Sequence, residues 1–201
     1  MLHQVKGLHH ITSLASSALA NNAFFTDVLG LRRVKKSVNF DAPDVYHLYY
    51  GDEAGTPGTV MTYFPFPHAA PGRSGTGEVG RTSFSVPSGS LKAWAARLST
   101  FEAAGLSEDT RFGQGRLLFD GPDGDAFALV ETRDDARSPW TGNGVSAEMA
   151  IRGFHSADMR LSDEGASAEL LRFMGYEELD RQDNITRFAI PGGNEANIID
   201  I

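Results

Sequence analysis

The chain has 201 residues, 41% hydrophobic and 22% charged, with 13 Phe and no Cys. That composition fits a globular protein with room for a sizeable core and excludes collagen, coiled coil and wholesale disorder. Lys plus Arg total 18 against 26 Asp plus Glu, a formal charge of -8, which repels a phosphate backbone and argues against nucleic-acid binding as the main activity.

Without cysteine there is no disulfide, thiolate metal site or thiol nucleophile, so any metal must rest on His and carboxylates. No run of about 18 apolar residues offers a membrane span, which makes the cytoplasm the expected location.

In chain order, the first predicted element is a strand through His10, followed by a helix that closes at Leu29-Gly30-Leu31. Arg32, Arg33, Lys35 and Lys36 read as a solvated strand or turn, and VYHLYYGD and GTVMTYF as two further strands. Residues 65–77, PFPHAAPGRSGTG, read as a linker. A strand containing Arg81 then leads to a helix in which Leu91, Trp94, Ala95, Leu98 and Phe101 recur at helical spacing, predicting one buried stripe with Gly105 as a left-handed cap. RLLFD and AFALV flank Gly121-Pro122-Asp123-Gly124 and predict a hairpin. After a second Gly- and Pro-rich stretch at 132–147 come a strand with His155, a helix ending at Met174-Gly175-Tyr176, and the strands ITRFAI and ANIIDI around Pro191-Gly192-Gly193.

The order repeats. His10 to Gly30 and His155 to Gly175 are both 20 residues, and Arg81 to Gly105 is 24. The predicted fold class is α+β, with three βαβββ modules at 1–67, 78–131 and 148–201. The second and third modules are expected to pair with each other.

Strand alternation puts Thr12 on the face of His10 and His9 on the opposite one, unless the strand is bulged. In VYHLYYGD, His47 and Tyr49 share a face, while Tyr46, Leu48 and Tyr50 share the other; the pattern leaves open which one meets a ligand. His3 and His68 receive no role. The glycines of GRSGTGEVG lead into a strand, so a phosphate-cradling loop at a helix N-terminus is not predicted. There is no nucleophile elbow either.

GLHHIT at 7–12, FFTDVLGLRRVKKSVNFDAPDVYHLYYGD at 24–52 and GTVMTYFPFP at 58–67 resemble the hydroquinone-type ring-cleaving dioxygenases. These belong to the vicinal-oxygen-chelate superfamily, the glyoxalase/bleomycin-resistance/dioxygenase fold. GRTSFSVP and IRGFHS extend the likeness into the second and third modules.

The resemblance implies a non-haem Fe(II) enzyme, with Mn(II) as the alternative metal, acting on a hydroquinone or catechol with dioxygen. Two His and one carboxylate would leave open positions for two exchangeable ligands. His10 matches the first metal ligand, with Thr62 where a carboxylate could stand. His9 and Thr12 are assigned beside the metal and substrate, where a His can move a proton and a hydroxyl can orient a ligand. His47 and Tyr49 are candidate substrate contacts.

The family pattern has four modules, and the fourth supplies the second His and the Glu. The other two ligands are therefore expected outside this chain, and self-association, as a homodimer or otherwise, is expected of the unpaired first module. In the second and third modules the corresponding positions are Arg81 with Ala128 and His155 with Asp200. There an Arg81–Asp200 ion pair is expected in place of a metal, as a structural remnant. Two other functions fit the fold: a glyoxalase-like metal-dependent isomerase, which needs carboxylates in both half-sites, and a metal-free, bleomycin-resistance-like protein that binds an aromatic ligand.

Overall fold

The computed structural model describes residues 4–201, so His3 lies outside it. The first repeat comprises β1 (His10–Ala15), α1 (Ala18–Ala23) running into one wider π-helical turn (Phe24–Val28), β2 (Arg32–Val38), β3 (Tyr46–Gly51) and β4 (Val60–Pro65). The second comprises β5 (Glu78–Pro87), α2 (Leu91–Thr100), β6 (Ala104–Arg111), β7 (Gln114–Asp120) and β8 (Ala126–Thr132). The third comprises β9 (Gly153–Arg160), α3 (Gly165–Phe173), β10 (Glu177–Gln182), β11 (Ile185–Ala189) and β12 (Ile198–Asp200). None of these helices is long and apolar enough to cross a membrane.

The strand order is the same in every repeat: the first strand pairs in parallel with the last, and the others follow as antiparallel neighbours. Strands β1 to β4 form a four-stranded sheet ordered β1-β4-β3-β2. The other eight form one sheet ordered β10-β11-β12-β9-β5-β8-β7-β6, in which β5 and β9 run antiparallel at the centre. The repeated βαβββ order is thus present, with the parallel first-to-last pairing that only a crossover connection permits.

Local signals explain the elements. Ser17 caps α1, its Oγ accepting from the Ala20 amide at 3.2 Å. Gly30 ends that helical stretch at φ +69, where a side chain would meet Val145 Cγ2 at 2.4 Å. In α2, Trp94 and Leu98 are fully buried, and Leu91 and Ala95 pack on the core.

Two expectations are corrected here. Phe101 lies at the end of α2, 45% exposed, with the Arg97 guanidinium over its ring. The left-handed residue that ends α2 is Glu102, φ 53, rather than Gly105. Gly105 instead lies inside β6 at φ +67, where a Cβ would come within 2.4 Å of the Asp120 carboxylate.

The main core joins the first two repeats through aromatic side chains. Phe127 of β8 meets Phe24, Phe25, Phe84 and Phe119 at ring-centroid distances of 5.8, 5.9, 5.9 and 5.7 Å. Phe25 stacks on Tyr50 at 4.8 Å, tying the π-helical turn after α1 to the underside of the first sheet. The 132–147 stretch is packed rather than a free linker: Val145 is buried, and Arg137 donates to the carbonyls of Gly58 and Phe154. Residues 67–77 are exposed throughout.

Phe127→Ala should lower unfolding stability by about 3–5 kcal/mol, the usual cost of an aromatic-sized cavity. A reduced urea midpoint with unchanged far-ultraviolet circular dichroism is the expected readout.

Candidate functional site

Strand β1 alternates with one face down and one up. Ile11 and Ser13 are half-buried and Ala15 is buried, while His10, Thr12 and Leu14 are exposed. Register carries the upper face across the sheet: Thr12 pairs with Thr62, Leu14 with Phe64, and Tyr49 with Thr62. The other face of β3 is spent on the core, because Leu48 and Tyr50 are buried. His47 and Tyr49 are therefore on the face of His10 and Thr12, which decides what the alternation alone left open.

On this face Thr12 Oγ1 and Thr62 Oγ1 are 2.8 Å apart and share a hydrogen bond. His9 precedes β1, so strand alternation does not govern it. Its ring meets that of His10 edge to face at 5.2 Å, with the two Nδ1 atoms 3.0 Å apart. An Nδ1–Nδ1 hydrogen bond needs a proton on one of these nitrogens and a lone pair on the other. The rings of Tyr49 and Phe64 flank His47 at 4.1 and 4.0 Å. Burial, then the charges of His10 and Lys35, hold the His47 imidazolium pKa below its usual value.

The corresponding face between the second and third repeats is filled. Arg187 grips Asp200 through both oxygens, at 2.7 and 2.8 Å, and Arg111 lies 2.6 Å from Asp158 and 3.5 Å from Asp200. The expected Arg81–Asp200 pair is not formed. Arg81 donates instead to the Phe127 carbonyl at 2.7 Å, because two better-placed guanidinium groups already occupy Asp200.

His155 is buried there and neutral. Gln114 donates its amide to His155 Nε2 at 3.1 Å, and His155 Nδ1 donates to Ser156 Oγ at 3.1 Å. Burial foremost, with the Arg187 charge, pushes its pKa down to about 3.

The donor chemistry of the open face fits one position of a metal site, His10, and not a whole one. Among the described residues no three His, Asp or Glu side chains gather closely enough to hold an ion. The side chains that sequence reasoning missed are Phe64 and Lys35 on the open face and Arg111, Gln114 and Arg187 on the filled one. Phe64 was legible, two residues beyond Thr62 on an alternating strand. The arginines were not, since no local signal distinguishes an inward-pointing strand Arg from a solvated one.

Comparison with known proteins places this geometry. No family model matches the chain. A Bacillus subtilis (strain 168) protein, MhqE, provisionally named a ring-cleaving dioxygenase, is 43% identical over 189 residues, 92% of this chain and 61% of that protein. The chlorohydroquinone/hydroquinone 1,2-dioxygenase of Sphingobium indicum is 36% identical over 203 residues, 98% of this chain and 63% of that enzyme. The chain thus spans about three-fifths of the length of these relatives.

A crystal structure from Bacillus subtilis, provisionally titled a dioxygenase, matches with a TM-score of 0.93 at 38% identity, over 98% of this chain and 63% of that one. Glyoxalase I from Zea mays matches with a TM-score of 0.71 over 97% of this chain and 66% of that one, at 13% identity, a likeness of fold alone.

The filled face predicts an acid limb of stability. A His whose folded pKa is about 3 against an ordinary 6.5 stabilises the fold fully above pH 6.5 and loses that contribution as pH falls toward 3, because the unfolded chain takes the proton first. Urea midpoints measured between pH 7 and 4 should fall more steeply for the wild type than for His155→Gln. Parallel curves would assign the limb to other groups.

Proposed function

The chain belongs to the ring-cleaving dioxygenase family of the vicinal-oxygen-chelate superfamily, and on that premise we propose that it serves in the oxidative opening of a hydroquinone or catechol ring. The observation that carries this reading is the grouping, on one sheet face, of the His9–His10 pair, the Thr12–Thr62 hydroxyl pair and the Tyr49–His47–Phe64 aromatic strip.

His10 would hold the metal, Fe(II) or alternatively Mn(II), at one position, with the other ligands coming from outside this chain. When bound, the group would supply Lewis-acid and redox chemistry toward the diol and dioxygen.

The chain's own residues divide the remaining work. His9, hydrogen-bonded to His10, is placed to accept or return a proton as the diol binds. The Thr12 and Thr62 hydroxyls, already paired, orient a ligand oxygen without a charge of their own. Thr62 stands where a glyoxalase-like isomerase would need a carboxylate, which favours the dioxygenase reading over that one. The rings of Tyr49 and Phe64 give a flat aromatic ligand an apolar wall.

The partner at the free edge follows from the repeat. Strands β5 and β9 pair along the edges turned away from β8 and β12, and β1 has the same edge unpaired among the described residues. An unpaired edge of this kind favours association through another first strand, in a second copy or in a further module. The proposed module bounds remain 1–67, 78–131 and 148–201.

Metal content and oxygen uptake test the reading. Joined to the segment that supplies the other ligands and given Fe(II), anaerobically purified protein should retain metal and consume oxygen with a hydroquinone, and His10→Ala should lose both. Metal retained undiminished in the His10→Ala variant would overturn the assignment. Protein that holds no metal but is stabilised by an aromatic ligand would support a metal-free binding protein instead.

A further inference from the structure

The face between the second and third repeats is not filled to its end. Beside the Asp158–Asp200 cluster a cleft of about 280 Å³ remains, reached by side chains of β5, β6, β9 and β12. Phe84 and Val86 of β5 point into the core, so Arg81, on the alternate face of that strand, points toward the cleft that it lines.

The other charged groups of the cleft are partnered. Arg111 lies 2.6 Å from Asp158, Asp200 is gripped by Arg187 through both oxygens, and Arg160 lies 3.0 Å from Glu78. Arg81 has only the Phe127 carbonyl, which it meets through Nη1, and among the described residues it makes no ion pair. Burial foremost lowers its pKa; Asp158 pulls the other way, and the charges of Arg116 and Arg111 add to the lowering. A guanidinium nevertheless keeps its proton, so a half-buried cation stands here with most of its N–H fork unspent.

A partly desolvated charge without a counterion is costly, and a planar fork is the shape that takes a carboxylate through both oxygens. The rest of the cleft is apolar where it is not already paired: Met159, Ile185 and Ile201 line it. The volume limits the occupant to a small molecule.

We propose that this cleft is a second ligand site, in which Arg81 binds the carboxylate of a small organic acid and Met159, Ile185 and Ile201 hold its apolar body. The site is separate from the open face of the first sheet and stands whether or not that face takes an aromatic diol.

Benzoate and its neutral isostere benzamide test this on the full chain at constant ionic strength, read by carbon-13 methyl spectra of methionine-labelled protein. Met159 lines the cleft, whereas Met61 is in β4 of the first sheet, so the two resonances tell the sites apart. Benzoate should shift Met159 and leave Met61 in place, and should bind more tightly than benzamide by about tenfold, the scale of one charge-assisted hydrogen bond. Arg81→Gln, which keeps an amide donor for the Phe127 carbonyl, should erase that preference, with an otherwise unchanged methionine spectrum showing that the fold persists. Benzoate that shifts Met61 alone, equal affinity for the two rings, no binding of benzoate, or undiminished binding by a folded Arg81→Gln protein each overturns the proposal. The comparison of the two rings needs only the wild type, so it decides even where the variant does not fold.

Discussion

In every repeat the first strand is hydrogen-bonded in parallel to the last, and most of what the molecule can do follows from that pairing. Parallel neighbours cannot be joined by a tight turn, so the chain must cross over, and the helix in that crossover covers one face of the sheet. The register then sets residues of the first strand against residues of the last: Thr12 against Thr62, Ser83 against Ala128, Asp158 against Asp200. One geometry, repeated three times, holds a hydroxyl pair, a pair of small side chains and a carboxylate pair.

The carboxylate pair shows why topology alone does not make a metal site. Asp158 and Asp200 would repel each other in a buried setting, and burial does raise the Asp158 pKa. The protein answers with guanidinium groups from neighbouring strands, Arg111 and Arg187, rather than with a cation from solution. Arg187 is itself held, donating to Gln114 at 2.8 Å and lying over the Phe112 ring at 4.1 Å. Removing one member would leave another charge buried and unpaired, so the network is committed to its present composition. The first sheet has no such commitment, and its histidines remain available.

The pattern of repeats was legible in the chain because it depends on short-range signals: periodicity two in VYHLYYGD, helical spacing from Leu91 to Leu98, and turn residues between RLLFD and AFALV. The face that meets a ligand was legible only in part. Alternation tied His47 to Tyr49 and Thr12 to His10, but which side is buried depends on where α1 and its π-helical turn pack, a tertiary fact set by Phe25 against Tyr50. The misassigned partner of Asp200 has the same origin. Arg81 is in the first strand, where local logic puts it, whereas Arg187 arrives from β11 and Arg111 from β6 through contacts no spacing rule encodes. The packing of residues 132–147 was hidden for a related reason: a Gly- and Pro-rich stretch resembles a linker until Val145 finds a pocket against Gly30.

An open face must still be a rigid one if it is to orient a ligand, and here the rigidity comes from below. Asp125, on the turn between β7 and β8, accepts from Ser13 Oγ at 2.8 Å and from the Tyr63 hydroxyl at 3.1 Å, gripping β1 and β4 by side chains on their core side. Arg97 of α2 donates to the carbonyls of Asp27 and Val28 at the end of the first helical stretch. The loop before β12 holds the approach to β1, with Asn194 donating to the Leu8 carbonyl and Leu8 donating to that of Ala196. The three tethers come from the second and third repeats and all act on the first. Side chains on a strand fixed from its buried face keep their spacing when a ligand arrives, so the cost of ordering them has already been met during folding. In this molecule the paired repeats, with their filled face, act as the scaffold that lets the first repeat leave its face open.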